Sequence, residues 1–296
     1  MIIHCENVSK SYNASKVLDR ISFQMTEQKI TGLIGRNGAG KTTLLKMIAG
    51  FWHTSSGNLE VFGNSPFNNL TVSANTIFVD DQMAFPETLT LWDLLIEAGR
   101  FYQHWDAGLA GRLFEYFQFN KKQFHHHLSK GKKSTFNMIV GLASRSPLTI
   151  FDEPTTGMDS AVRKDFYRAL LKDYIAHPRS ILISSHHLNE IEDLLEDILL
   201  IDDGNLVLHT SIDDMREYAI AITGNYSQLD AWINGKEIFH KEKVGINEMY
   251  VIMKNDVPTE EIERYGFHIS SVSPNDLAVY MTNKTRGGID DVFDSK

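Results

Sequence analysis

The 296-residue chain has a single cysteine, Cys5, which excludes an intramolecular disulfide and fits a reducing compartment. Basic residues are not in excess: 29 Lys and Arg against 38 Asp and Glu leave a net charge of −9. That balance disfavours a general phosphate-backbone binder and leaves only local basic patches open. Long hydrophobic runs are also missing. No window reaches the roughly 18 uncharged apolar residues of a membrane span, and the Leu- and Ile-rich stretch Asp193–Asp203 is broken by Glu196 and Asp197. The opening, Met1 to Asn7, has no basic segment leading into an apolar one, so no signal peptide is expected. There is no short internal repeat and no low-complexity tract. These absences lead to the expectation of a soluble, cytoplasmic protein. What is present, 42% apolar and 23% charged residues, is enough to bury a core and excludes wholesale disorder.

Patterning divides the chain near residue 210. Residues 1–25 alternate apolar and polar positions and read as two strands around a turn at Ser11–Ser15. Ile30–Ile34 is a short apolar run, followed by a glycine-rich loop and a helical pattern over Thr42–Ala49. Residues 76–81 read as a further strand, and 88–143 as mostly helical and rich in aromatics. Leu148–Phe151 and Ile181–Ser184 are again short apolar runs. Short apolar strands alternating with helices predict a parallel sheet covered on both faces. Beyond 210, Ala219–Ile222 and Tyr250–Met253 read as strands, and Ser227–Ile233 and Pro258–Tyr265 as helices. The expectation is a main domain over 1–210 with a helical subdomain at about 88–143, a small α+β appendage over 211–285, and a flexible tail at 286–296.

Gly35-Arg36-Asn37-Gly38-Ala39-Gly40-Lys41-Thr42 satisfies G-x-x-x-x-G-K-[ST] in full. Glycines let backbone N–H groups turn inward around phosphate oxygens, and the following helix adds its positive end. Lys41 is placed to reach the β- and γ-phosphates, and the Thr42 hydroxyl to bind Mg²⁺. A chance match in a chain of this length has odds of roughly one in a hundred at average composition. The strand before and helix after supply the required context.

Two more polar positions end apolar strands. Leu148–Phe151 runs into Asp152-Glu153-Pro154, where Asp152 is placed to hold Mg²⁺ and Glu153 to polarise water as a general base. The bland alternative is a strand ending in a polar turn. Ile181-Leu-Ile-Ser-Ser-His186 ends in a histidine at the same end of the sheet, where ligand crevices form. His187 follows, so the choice between them depends on register.

Taken together, these pieces resemble the ATP-binding subunit of an ABC transporter, over about residues 1–210 and with the motifs in the family's order. The resemblance implies a P-loop NTPase with a RecA-like core, an antiparallel β subdomain and a helical subdomain. It implies that Tyr12 stacks on adenine, that Gly35 to Thr43 cradle the phosphates, and that Gln82 is the lid glutamine that reaches the metal. Asp81 is a rival for the last role. Asp152-Glu153 resembles the second Walker motif, Gly157-Met158-Asp159 the loop at the dimer interface, and His186 the switch histidine. The implied catalytic set is Glu153, His186 and Lys41. The implied metal set is Thr42, Gln82 and Asp152.

The family's signature, Leu-Ser-Gly-Gly-Gln, reads here Leu128-Ser129-Lys130-Gly131-Lys132. Ser129 and Gly131 are kept, and Leu128 stands at the usual distance before Asp152. The resemblance implies that Ser129 and Gly131 contact ATP held by the opposite subunit of a head-to-tail dimer. That dimer is formed of two identical chains or of this chain with a relative. It also implies ATP and Mg²⁺ as cofactors, a separate integral membrane subunit, and a place on the inner face of the cell membrane. The relaxed signature resembles those of some Gram-positive exporters, including exporters of amphipathic peptide toxins. Ser271–Thr282 is similar to the closing segment of bacterial exporter ATPases. The alternative in the same family is a soluble ATPase acting on ribosomes or DNA. Such proteins usually carry two cassettes or a long coiled-coil insert, and no nucleic-acid partner is expected here.

Three further features stand outside these motifs. His125-His126-His127 reads as a polar turn ahead of the signature, because three adjacent histidines cannot all face one ion. Lys130, Lys132 and Lys133 form a basic cluster that is either a solvated helix start or a contact to ATP or an acidic partner. The aromatics of residues 100–120 read as the core of the helical subdomain, with part of that surface and Phe85 forming a groove for a partner helix.

Overall fold

The computed structural model describes residues 1–13 and 15–282; the tail expected at 286–296 lies outside the described residues. The chain divides into two compact units, one formed by Met1–His186 with Asp193–His209, the other by His187–Glu192 with the chain from Thr210 onward.

The first unit opens with two long strands of alternating burial, β1 (Ile3–Tyr12) and β2 (Ser15–Met25). Next come β3 (Ile30–Ile34), buried at every position, and helix α1 (Lys41–Ile48). After them run β4 (Ser56–Val61), α2 (Leu70–Asn75) and β5 (Thr76–Val79). The expected strand at 76–81 therefore stops at Val79, and Asp80 and Asp81 begin a loop. Three helices follow: α3 (Leu91–Phe101), α4 (Ala107–Tyr116) and α5 (Lys130–Ser144). Each starts on a side-chain cap, from Thr90, Asp106 and Ser129 respectively. Thr90 and Asp93 form a reciprocal capping box. The unit continues with β6 (Leu148–Asp152), α6 (Ser160–Ala176), β7 (Ser180–Ser185) and β8 (Asp197–Asp202), and ends within β9 (Asn205–Ser211), at His209.

β2, β1 and β4 form an antiparallel sheet in that order, and β5-β6-β7-β3-β8-β9 form a six-stranded sheet that is parallel from β5 through β8. One apolar cluster joins the two sheets through α1: Leu33, Leu44, Leu45, Leu148, Leu182 and Leu199 all belong to it. The strands β3, β6 and β7 are buried along their whole length, as a sheet covered on both faces requires. Within the helical segment, Phe114, Phe119 and Phe136 pack in sequence with ring centroids 5.5 and 5.8 Å apart. Phe85, half-buried, packs on Phe136 and His125 with ring centroids 5.7 and 4.8 Å apart.

His125 is not part of a polar turn. It is buried, and its Nε2 lies 2.8 Å from Asn137 Oδ1. Burial lowers its affinity for a proton below the ordinary histidine value, more than the Asn137 hydrogen bond raises it, with the charges of Lys133 and His126 adding to the fall.

The second unit contains α7 (Ile212–Glu217), β10 (Ala219–Asn225), α8 (Tyr226–Trp232), β11 (Ile238–Val244), β12 (Glu248–Lys254), α9 (Thr259–Arg264), β13 (His268–Ser271) and α10 (Pro274–Met281). Its strands form an antiparallel sheet ordered β11-β12-β10-β13. From β10 to β13 this is a β-α-β-β-α-β plait, the split βαβ arrangement. Ile222, Met249, Val251 and Met253 from the sheet bury against Leu229 of α8 and Ile262 of α9.

Candidate functional site

The loop between β3 and α1 leaves the C-terminal end of a central strand, where a doubly wound sheet gathers ligands. Gly38 and Gly40 have φ of +85° and +103°, a conformation that L side chains rarely adopt. At Gly40 a Cβ would also meet Leu18 Cδ2 at 2.6 Å. No side chain caps α1, and its first turn holds no acid, so its leading N–H groups are left for an incoming anion.

The pocket there, about 240 Å³, is lined by Val17, Arg36, Asn37, Gly38, Ala39, Gly40, Lys41, Thr42, Thr43 and Glu153. Lys41 is only 6% exposed. Its ammonium donates to the Gly35 carbonyl at 2.6 Å and lies 3.3 Å from Glu153 Oε1. A buried ammonium surrounded by backbone dipoles and one carboxylate is a phosphate-seeking group. Gly35 thus acts through its carbonyl. Val17 is a lining residue that sequence reasoning missed, because no motif marks it.

Glu153 follows the end of β6 with φ of +47°, so its side chain leaves the strand direction. Its Oε2 lies 2.8 Å from His186 Nδ1 at the end of β7. The register between β6 and β7 pairs Asp152 with Ser184. Ser184 Oγ donates to Asp152 Oδ1 at 2.6 Å and accepts from the Glu153 N–H at 2.9 Å. Ser184 therefore orients both acids. The sequence marked it only as part of the run leading to His186, since register is invisible there. His186, the first of the two histidines, meets Glu153.

Other expected residues lie elsewhere. Tyr12 ends β1, 42% exposed, with its ring edge-on to Trp52 at 5.8 Å. Gln82 lines a separate groove of about 520 Å³ that also includes Lys46, Phe51, Trp52 and Phe101. Its carboxamide donates to Asp81 Oδ1 at 3.0 Å, and Asp81 Oδ2 pairs with Lys130 Nζ at 3.1 Å. Burial alone would raise the Asp81 pKa; the Gln82 and Lys130 contacts outweigh it and leave the group below its ordinary value. Neighbouring Asp80 goes the other way: burial raises it in spite of Lys46.

Ser129, Gly131 and Asp159 line a third cleft, about 860 Å³ in volume. Ser129 caps α5, and Asp159 caps α6 through the N–H groups of Ala161 and Val162. Gly131 is required by close approach, because a Cβ there would lie 2.3 Å from the Gly157 carbonyl oxygen. Lys132 is held within the chain, its ammonium donating to the Phe117 carbonyl at 2.9 Å and sitting 4.9 Å from the Phe119 ring centre.

A parallel sheet, a glycine loop before a helix, and a carboxylate beside the loop lysine define a P-loop nucleotide-binding fold. Residues 18–156 match the family model described as ABC transporter. The ABC transporter ATP-binding protein YtrB of Bacillus subtilis is 28% identical over 86% of this chain and 88% of its own length. The linearmycin resistance ATP-binding protein LnrL of the same organism is 29% identical over 88% and 83%. Among solved structures, an ATP binding subunit of an ABC transporter has a TM-score of 0.66 at 25% identity, covering 73% of this chain and 92% of that one. A dimeric post-hydrolysis cassette bound to ADP and Pi, at 17% identity, has a TM-score of 0.63 over 71% and 99%, which speaks to the fold. The chain carries an ABC transporter ATP-binding domain, and that domain is an ATPase of this family. Among the described residues, no helix is long and apolar enough to cross a membrane.

Proposed function

We propose that this chain is the subunit that binds and hydrolyses ATP to drive a separate membrane protein, an exporter of peptides or other amphiphiles. The observation that carries the catalytic part is Glu153, held between Lys41 and His186 at the mouth of the phosphate pocket. Lys41 and the loop N–H groups hold the β- and γ-phosphates and balance the charge that builds on them. Glu153 takes the proton of the attacking water, and His186 holds the carboxylate in place and faces the γ-phosphate. Thr42 and Asp152 have the oxygen donors that suit Mg²⁺, with Gln82 as an additional ligand, and the ion would offset phosphate charge. The backing of Asp152 by Ser184 fits that use, since ligating carboxylates are commonly hydrogen-bonded from behind.

Ser129 and Gly131 open on a cleft other than the phosphate pocket. A second ABC subunit, placed head to tail, brings them to its own ATP, with Asp159 at the interface. The groove beside Gln82, with Phe51 and Phe101 exposed, suits an amphipathic helix of the membrane subunit. The exporter class rests on the relaxed signature and on the similarity to a linearmycin resistance protein.

The test is the Glu153→Gln variant. It is expected to bind MgATP as the parent does and to lose at least about 10²-fold in turnover. Tagged and used with MgATP as bait in native membranes, it is expected to retain a multi-spanning membrane protein. Unchanged turnover removes the base assignment. Ribosomal or DNA-associated partners with no membrane protein remove the transporter assignment.

A further inference from the structure

We propose that Lys130 is a positioning residue that ties the start of α5 to the lid loop, so that the signature segment and Gln82 move as one piece. The inference rests on the function proposed above, because it assigns Ser129 and Gly131 to a partner's nucleotide and Gln82 to this chain's own. Lys130 stands where the family signature has glycine, which has no side chain to make such a tie.

The connection is short and continuous. Lys130 Nζ lies 3.1 Å from Asp81 Oδ2, and Asp81 Oδ1 accepts from Gln82 Nε2 at 3.0 Å. One carboxylate therefore separates a residue of the signature from the lid glutamine. Lys130 is flanked directly by Ser129 and Gly131, so its backbone cannot shift without theirs. Gly131 in turn lies against the Gly157 carbonyl. A second tie runs from Asn137 Nδ2 to the Asp80 carbonyl at 3.0 Å. It meets α5 about 10 Å further along, at 1.5 Å per residue, and leaves the N-terminal end of the helix to Lys130. The lid backbone is held from below as well, with Gln82 N–H donating to Asp80 Oδ1 at 3.0 Å and Lys46 Nζ 3.7 Å from Asp80 Oδ2. The pair makes each nucleotide site sense the other: nucleotide that draws Gln82 inward pulls on Asp81, then on Lys130 and the signature.

The rival role for Lys130 is a direct contact to the partner's phosphate, for which its 61% exposed side chain is available. The two roles predict opposite signs for one variant. If Lys130 served phosphate directly, Asp81→Asn would release it and strengthen ATP binding. If the pair is a tie, Asp81→Asn and Lys130→Met weaken the same coupling.

The test measures ATP hydrolysis by the full chain against ATP concentration for the parent, Lys130→Met, Asp81→Asn, the double variant and the exchanged pair Lys130→Asp with Asp81→Lys. Half-saturation is also read with a fluorescent ATP analogue, which does not depend on turnover. Each single variant is expected to raise half-saturation roughly two- to fivefold, the range an exposed ion pair commands, and to lower the Hill coefficient towards one. The double variant is expected to be no worse than either single, and the exchanged pair to recover most of the loss. A fall in half-saturation for Asp81→Asn, multiplying effects in the double variant, single variants that match the parent, or no recovery in the exchanged pair each overturns the proposal. Glu153→Gln in the same assay reports on the catalytic assignment separately, since its failure leaves the Lys130 and Asp81 comparison readable.

Discussion

His186 Nδ1 lies 2.8 Å from one oxygen of Glu153, while the other oxygen lies 3.3 Å from Lys41 Nζ. One carboxylate is thus shared between the phosphate loop and the end of a neighbouring strand. The pairing places a candidate base beside Lys41, the lysine proposed to hold the γ-phosphate.

His186→Ala should therefore lower turnover by about 10²-fold, the lower end of what one acid–base group contributes, with ATP affinity within about threefold of the parent. Steady-state hydrolysis and equilibrium nucleotide binding separate the two. Parent-like turnover would falsify the role given to His186.

Ser184 is buried and serves Asp152 and the Glu153 N–H at once. Ser184→Ala leaves two polar groups without this partner and is expected to cost about 1–3 kcal/mol of stability. It is also expected to raise the Mg²⁺ concentration needed for half-maximal turnover, because Asp152 loses its orienting bond. Ser184→Thr, which keeps the hydroxyl, should recover part of both losses. A Mg²⁺ dependence identical to the parent's in Ser184→Ala would show that Asp152 needs no such support.

Gly131→Ala places a methyl group where the Gly157 carbonyl oxygen already sits, 2.3 Å away. Because the obstacle is backbone, the expected loss is about 1–3 kcal/mol in thermal or urea unfolding. A variant as stable as the parent would mean that the two segments separate freely.

His125 is held neutral by burial, its proton affinity lowered in the folded chain. The unfolded chain, with an ordinary histidine value near 6.5, then binds more protons than the folded chain as the pH falls. Stability from this residue is present above about pH 6.5 and declines as the pH drops below that. His125→Gln, which cannot titrate, should lose less thermal stability than the parent between pH 7.5 and 5.5. Equal losses in the two proteins would assign the acid sensitivity to other groups.

The amino-acid sequence by itself determined the phosphate loop, the order of strands and helices around it, and the acids at the strand ends. These features depend on local rules: positive φ needs glycine, alternating burial needs alternating polarity, and a helix start needs a cap. Helix α1 and strands β3, β6 and β7 were legible to within a residue or two for that reason. Gly38, Gly40 and Lys41 were legible because their spacing within one loop is short, and Glu153 because it follows the apolar run Leu148–Phe151 directly after Asp152. Ser184 behind Asp152 was not, because it depends on the register between two strands 32 residues apart. Neither was the burial of His125 beside Asn137, nor the packing of Phe85 on Phe136 and His125, since side-chain partners from distant segments leave no periodic trace. The contact of His186 with Glu153 depends on how β7 ends beside β6, which the sequence leaves to register. The Lys130–Asp81 pair is the sharpest case: two charges in separate motifs, each unremarkable alone, which only the packing of α5 against the loop after β5 brings to 3.1 Å.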